Sequence, residues 1–363
     1  MKKVVTFGEV MVRLAPSEHY RFAQSCPGSM DLTFGGAESS VAASISMLGG
    51  SSRFVSALPQ HAIADAFVRQ MRGFKVDVDH VLRREAGRFG IYYVETGANQ
   101  RPSRVIYDRD YSAVSICSGE EYDWDAIFAD AQWLHISGIT LAISETAAHA
   151  AILAAGKAQA AGVKVSCDLN FRKNLWRWRS GSDARSLARS VMPDFLENVN
   201  VIIGNEEDAA DVLDIHAGDT DVHSGSLVIA HYPDVARQIA QRFNNVDQVA
   251  ITLRESISAT HNNWGAMLFD VSSDTAVFAP MNGEQYEPFE IRNIVDRVGG
   301  GDSFAAGLIY AMTTKDFATA QDQVDFAVAA SCLAHSVKGD FNFTSRAEVE
   351  ALANGNASGR VQR

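Results

Sequence analysis

The stretch Val295-Asp296-Arg297-Val298-Gly299-Gly300-Gly301-Asp302-Ser303-Phe304 runs directly into the apolar run Ala305 to Met312. Three successive glycines allow a tight turn and bring bare amides close to a ligand. The helix predicted behind them adds unsatisfied N–H groups and the positive end of its dipole. That combination suits an anion, and a phosphate above all. Asp302 falls in the first helical turn, where a carboxylate can start the helix or act as a base facing the same anion. A base beside a phosphate cradle is what phosphoryl transfer to a hydroxyl requires. No Gly-Lys-Ser or Gly-Lys-Thr follows the glycines, so this is not a Walker loop.

Other chemistry-bearing groups stand just after predicted strands. Asp168-Leu169-Asn170-Phe171-Arg172-Lys173-Asn174-Leu175-Trp176 follows the strand Val163–Asp168, which puts its polar groups at a ligand-binding sheet edge. Gly204-Asn205-Glu206-Glu207-Asp208 follows Val201-Ile202-Ile203 and opens a helix, where an acidic first turn is favourable in its own right. Thr252-Leu253-Arg254 ends the strand from Val249, and Arg254 can either neutralise a phosphate or cover a cavity mouth. Gly35-Gly36 lies between the strand Met30–Phe34 and a helix from Ser39 to Leu48, which fits a tight strand-to-helix turn.

The elements needed to hold these groups follow from apolar periodicity. Val4 to Leu14 reads as a buried strand continuing as a half-exposed one, Arg53–Leu58 as a strand and Ala62–Phe74 as a helix. Phe89–Glu95 and Ser103–Arg109 form an aromatic- and arginine-rich hairpin. Beyond it strands and helices alternate: Trp133–Ser137, Thr146–Ala161, Val163–Asp168, Arg185–Asn198, Val201–Ile203, Val235–Phe243 and Val249–Leu253. Alternation predicts right-handed crossovers and an α/β fold, a doubly wound and mostly parallel sheet with helices on both faces. The core is expected to comprise residues 1–11, 35–87 and 114–363. Residues 12–34 and 88–113 make a small β-sheet lid that can exclude water from a reacting phosphate. Residues 216–233 read as an irregular surface insertion and Asn354 to Arg363 as a frayed tail.

The 363 residues are 47% hydrophobic and 21% charged, typical of a globular chain with a sizeable core. A net charge of −12 without basic runs excludes a general nucleic-acid or anionic-membrane binder. Glu9 interrupts any apolar run long enough for a signal peptide, and no segment is apolar enough to span a membrane, so a cytoplasmic protein is expected. Cys26, Cys117, Cys167 and Cys332 lack metal-ligand spacing and are expected to be buried free thiols.

The glycine–aspartate segment resembles the C-terminal signature of the PfkB, or ribokinase-like, carbohydrate kinases, and Gly35-Gly36 their N-terminal signature. Over nearly the whole chain the motifs come in that family's order. The family's usual asparagine is replaced here by Ser40. Asp168 to Trp176, the hairpin segments Gly90-Ile91-Tyr92 and Val105 to Ala113, and Ile251 to Ala259 with Asn263-Trp264 are similar to the 2-keto-3-deoxygluconate kinase branch. The resemblance implies ATP-dependent phosphorylation of the C6 hydroxyl of 2-dehydro-3-deoxy-D-gluconate. Asp302 is then the base and Gly299, Gly300 and Gly301 the anion hole.

The same resemblance implies that Gly35, Gly36, Ser40, Tyr92, Tyr107, Arg109 and Arg172 hold the sugar acid, with the arginines on its carboxylate. It places Asn205, Thr252, Arg254, Gly299, Gly301, Asp340 and Asn342 around the nucleotide, the last two on the adenine side. Asp208 stands where the family has a glutamate and would act on Mg2+ through water. A monovalent cation such as K+ can accompany ATP and Mg2+. Partners are the sugar acid, ATP and a second copy joined through the lid, in a dimer or larger homo-oligomer. Two alternatives are a fructokinase or ribokinase-type activity, whose neutral sugar leaves the arginines without an anion, and a catalytically silent sugar-acid sensor.

Overall fold

The structure is a computed structural model that describes residues 2–205, 207–216 and 229–356. Its elements, numbered along the chain, begin with β1 (Lys3–Phe7), β2 (Met11–Ala15), β3 (Asp31–Gly35), α1 (Ala37–Met47), β4 (Ser52–Val55) and α2 (Ala62–Gly73). The hairpin strands β5 (Gly90–Glu95) and β6 (Arg104–Asp108) follow, then β7 (Ala131–Ser137), α3 (Glu145–Ala160), β8 (Lys164–Asp168), α4 (Ala184–Leu196) and β9 (Val201–Asn205). The last third carries α5 (Asp208–Leu213), α6 (Tyr232–Arg242), β10 (Gln248–Ser258), β11 (His261–Asp270), β12 (Thr275–Ala279), β13 (Phe289–Arg292), α7 (Gly300–Thr313), α8 (Ala320–Ala334) and α9 (Arg346–Ala353).

The main sheet has nine strands in the order β12-β11-β10-β9-β8-β7-β1-β4, with β13 paired to β11. From β10 to β4 every pairing is parallel, and the central strands are apolar and buried, as covered parallel strands must be. At the other end β10, β11 and β12 pair antiparallel. The reason is local: only Ala259 and Thr260 separate β10 from β11, too short a link for a helical crossover. This antiparallel extension was absent from the strand–helix alternation.

The helices pack on both faces. Ala147, Ala150, Ala154 and Ala158 of α3 are fully buried and let that helix approach the sheet closely. Val41 and Ile45 of α1, Phe304 and Leu308 of α7, and Val324 and Val328 of α8 fill the opposite side. Among the described residues no helix is long and apolar enough to cross a membrane.

Two segments read as strand are each divided. Val4 to Leu14 splits into β1 in the main sheet and β2 in a separate sheet, with Gly8 to Val10 between them. A Cβ on Gly8 would lie 2.2 Å from the Glu38 carboxyl carbon, so the chain leaves the core sheet beneath α1 at the one residue that fits. Arg53–Leu58 divides into β4 and a short strand Ala57–Pro59, which pairs with Leu82–Arg84. The second sheet has the order β3-β2-β5-β6, antiparallel except for the parallel β2–β5 pair. It is built from residues within 11–35 and 90–108 and stands over the ends of the core strands.

Cys117 and Cys167 are buried, whereas Cys26 is exposed and Cys332 only partly covered, against the expectation for those two. Most of the expected insertion at 216–233 and the tail beyond Asn356 lie outside the described residues. Where description resumes, α6 already begins at Tyr232.

Candidate active site

A cavity of about 770 Å³ opens between the lid sheet and the core strand ends. Its floor is the turn before α7. Gly299 caps that helix at φ +86°, in the left-handed region that favours glycine, and a Cβ there would lie 2.4 Å from the Asp340 carbonyl oxygen. Gly300 is buried against the His335 ring, while Gly301 has open space before it. All three line the cavity.

Asp302 stands beside them, half-buried in the first turn of α7. Burial, with the neighbouring Asp340 and Glu38 charges, pushes its carboxyl up to about 7, and Arg172 acts in the opposite direction. Glu38 is fully buried in α1, where Oε1 accepts hydrogen bonds from the Ser137 amide at 2.8 Å, Ser137 Oγ at 2.7 Å and Thr140 Oγ1 at 2.8 Å. Burial raises the Glu38 carboxyl as well.

The lid end of the cavity is dominated by buried ion pairs. Arg109 is 7% exposed and gives Nε and Nη2 to Glu9 Oε2, the former at 2.7 Å. Its guanidinium lies 5.4 Å from the Tyr107 ring centre, and Tyr107 faces Tyr92 with centroids 6.2 Å apart. The Tyr92 hydroxyl donates to Asp340 Oδ1, which also accepts Arg13 Nη1 at 2.9 Å. Arg13 Nη2 holds Asp296, so a lid-strand arginine grips both the loop before the glycines and the loop after α8. Asp108, between Tyr107 and Arg109, pairs with Arg88.

Core strand ends supply the rest of the wall. Arg172 lines the cavity and is exposed; its one hydrogen bond among the described residues runs from Nη1 to the Phe171 carbonyl at 3.1 Å. Asp208 is buried, with Oδ1 accepting the Phe171 amide and Oδ2 the Asn205 amide, both at 3.0 Å. It thereby ties the ends of β8 and β9 together, and burial raises its carboxyl. Asp168 lies beside it and is raised well above the usual range by burial and by the Asp208 and Asp302 charges. Asn205, Thr252 and Arg254 complete this side.

Of the residues singled out from sequence, Asp302, Gly299, Gly300, Gly301, Gly36, Tyr92, Tyr107, Arg109, Arg172, Asn205, Asp208, Thr252, Arg254 and Asp340 meet at the cavity. Gly35, Ser40 and Asn342 do not line it. A Cβ on Gly35 would lie 2.0 Å from Asp340 Oδ2, so that glycine serves by making room for Asp340. Ser40 is sealed within α1, and Asn342 spends its amide on the Ala330 carbonyl and the Thr344 N–H. Asp340, which the resemblance puts on the adenine side, is bonded to Tyr92 and Arg13 beneath the lid. Glu9, Arg13 and Glu38 went unassigned. A charged residue inside an apolar strand pattern is the signal that could have found Glu9 and Arg13, because such groups are rarely buried unless paired.

Comparisons with known proteins agree with this architecture. The model of the pfkB family carbohydrate kinases matches residues 1–346. A 2-dehydro-3-deoxygalactonokinase of Haloferax volcanii is 30% identical over 358 residues, covering 98% of each chain. A fructokinase of Salmonella typhimurium is 25% identical, covering 93% of this chain and 94% of its own. The crystal structure of 2-dehydro-3-deoxygluconokinase from Thermotoga maritima is 41% identical with a TM-score of 0.86, covering 98% of this chain and 100% of that one. A family match across the chain and a relative similar from end to end, on a fold with this glycine turn, place the protein in the pfkB family of carbohydrate kinases.

Proposed function

We propose that the protein transfers the γ-phosphoryl group of ATP to the C6 hydroxyl of 2-dehydro-3-deoxy-D-gluconate, giving 2-dehydro-3-deoxy-6-phosphogluconate and ADP. The observation that carries this reading is Asp302: a carboxyl pushed up to about 7, beside three glycines, in a cavity that also holds Arg172. A base with that affinity for protons is half-ionised near neutral pH and can take the hydroxyl proton as the oxygen attacks phosphorus. The amides of Gly299 to Gly301 offer hydrogen bonds to charge developing on the transferred group. Asp208 and Asp168 offer carboxylate oxygens to the water shell of Mg2+, which when bound with ATP neutralises charge on the phosphates.

At the lid end Asp340 and Tyr107 suit sugar hydroxyls, while Arg172, with no carboxylate within 4 Å among the described residues, suits the acid group. The names of the Haloferax and Thermotoga relatives support a ketodeoxy sugar acid. A second reading, a fructokinase-type activity on a neutral sugar, is favoured by one observation: Glu9 already neutralises Arg109. A coupled assay with 2-dehydro-3-deoxygluconate, its galactonate epimer, fructose and ribose decides. A higher kcat/KM for either neutral sugar would reject the acid reading. The lid edge β6 exposes Val105 at 42% and Ile106 at 55%, which supports pairing of two copies through the lid.

A further inference from the structure

Arg297 immediately precedes the glycine turn, lines the cavity and has no role in the reading above. It is half-buried, and among the described residues no carboxylate lies within 4 Å of its guanidinium. Two arginines at the lid end differ: Arg109, and Arg13 just behind the wall, are both held by acids. Arg297 is anchored through Nη2 alone, to Asn262 Oδ1 and, at 3.5 Å, to Ser256 Oγ. Its Nε and Nη1 make no hydrogen bond to the described residues.

A second arginine stands next to it. Arg254 projects from β10, the strand that also carries Ser256, and pairs in register with Trp264 of β11, two residues beyond Asn262. Burial and the Arg254 charge together hold Arg297 below the usual guanidinium range. Two like charges brought together in a partly desolvated wall repel, and the fold tolerates this without placing an acid against Arg297. An anion entering between them turns that repulsion into attraction. The tether to Asn262 fixes Nη2 and leaves the remaining donors of this cavity-lining side chain without a hydrogen bond to the described residues.

From this arrangement we infer that Arg297 is a ligand of the nucleotide's polyphosphate, sharing its oxygens with Arg254 on the outer side of the glycine turn. A guanidinium there offers paired donors to phosphate oxygens in a site where the glycine motif brings no lysine. The inference rests on the kinase reading for the identity of the anion. Its chemistry, recognition of linked phosphates, is shared by ATP and inorganic tripolyphosphate, and the test separates them from adenosine.

Titration calorimetry on the whole protein measures binding of tripolyphosphate, ATP and adenosine to wild type, Arg297→Ala, Arg297→Gln and Arg297→Lys. Arg297→Ala should weaken tripolyphosphate and ATP about 10–100-fold and leave adenosine unchanged. Arg297→Lys should recover part of that loss. Arg297→Gln keeps an amide donor for Asn262 but no charge, so it should behave like the alanine variant if charge is what matters. Unchanged tripolyphosphate affinity in the alanine and glutamine variants, or an equal loss for adenosine, would overturn the inference. If wild type phosphorylates sugars while these variants bind tripolyphosphate normally, Arg297 is excluded and the kinase reading stands. If tripolyphosphate binding depends on Arg297 in a protein that phosphorylates none of the four sugars, the subsite stands and the kinase reading falls.

Discussion

The two ends of the cavity use the same residue type in opposite ways. At the lid end each arginine is matched by acids, Arg109 by Glu9 and Arg13 by Asp296 and Asp340. Where core strands end, Arg172 and Arg297 have no such partners among the described residues. Burying a guanidinium costs so much that one nearly sealed off must be paired, whereas one at the cavity mouth keeps enough water to stand alone. The lid pairs therefore fix shape, and the mouth keeps guanidinium charge that no acid among the described residues offsets. Charge recognition in this protein has to be sought where burial is incomplete.

Asp302 lies between these ends and its loss should have the largest effect. Asp302→Asn should bind ATP and sugar acid yet lose kcat by ~10²–10⁴-fold. A variant turning over within a few-fold of wild type would show that another group accepts the proton. The next effect is on stability. Glu9→Gln leaves Arg109 buried without its counter-charge, costing about 3–5 kcal/mol and lowering Tm by roughly 4–7 °C in calorimetry. Arg172→Ala, by contrast, should leave Tm nearly unchanged and raise KM for the sugar acid about 10–100-fold. A large Tm drop for Arg172→Ala with no change for Glu9→Gln would invert the contrast.

The smallest effect is on pH dependence. With Asp302 as the proposed base its ionised form carries the reaction, so kcat/KM should fall as pH drops through about 7. Arg172 favours that ionised form, and removing it should move the acid limb upward by a few tenths to about one pH unit. A downward or absent shift would mean that Arg172 does not sense Asp302.

Much of the site could be read because its motifs sit at strand ends, where chain order and cavity position coincide. The segment around Arg172 and the Asn205–Asp208 turn obey that rule, while the glycine turn with Asp302 is marked by the helix it opens. Asn342 and Ser40 did not follow it, since a polar residue near a motif can as easily satisfy backbone groups or be sealed in a helix. Asp340 was found but its partners could not be read, because Arg13 and Tyr92 lie 327 and 248 positions away in the chain.

Periodicity and turn chemistry alone determined the alternation of strands and helices, the hairpin of the lid and the helix start that carries Asp302, because each depends on residues only a few positions apart. Tertiary structure decided the rest. It divided Arg53–Leu58 between two sheets, extended the parallel sheet with antiparallel strands, and chose which arginines acquire a counter-charge. Those outcomes turn on which distant side chains exclude water from one another, and a guanidinium's usefulness to a ligand depends on that more than on its place in a motif.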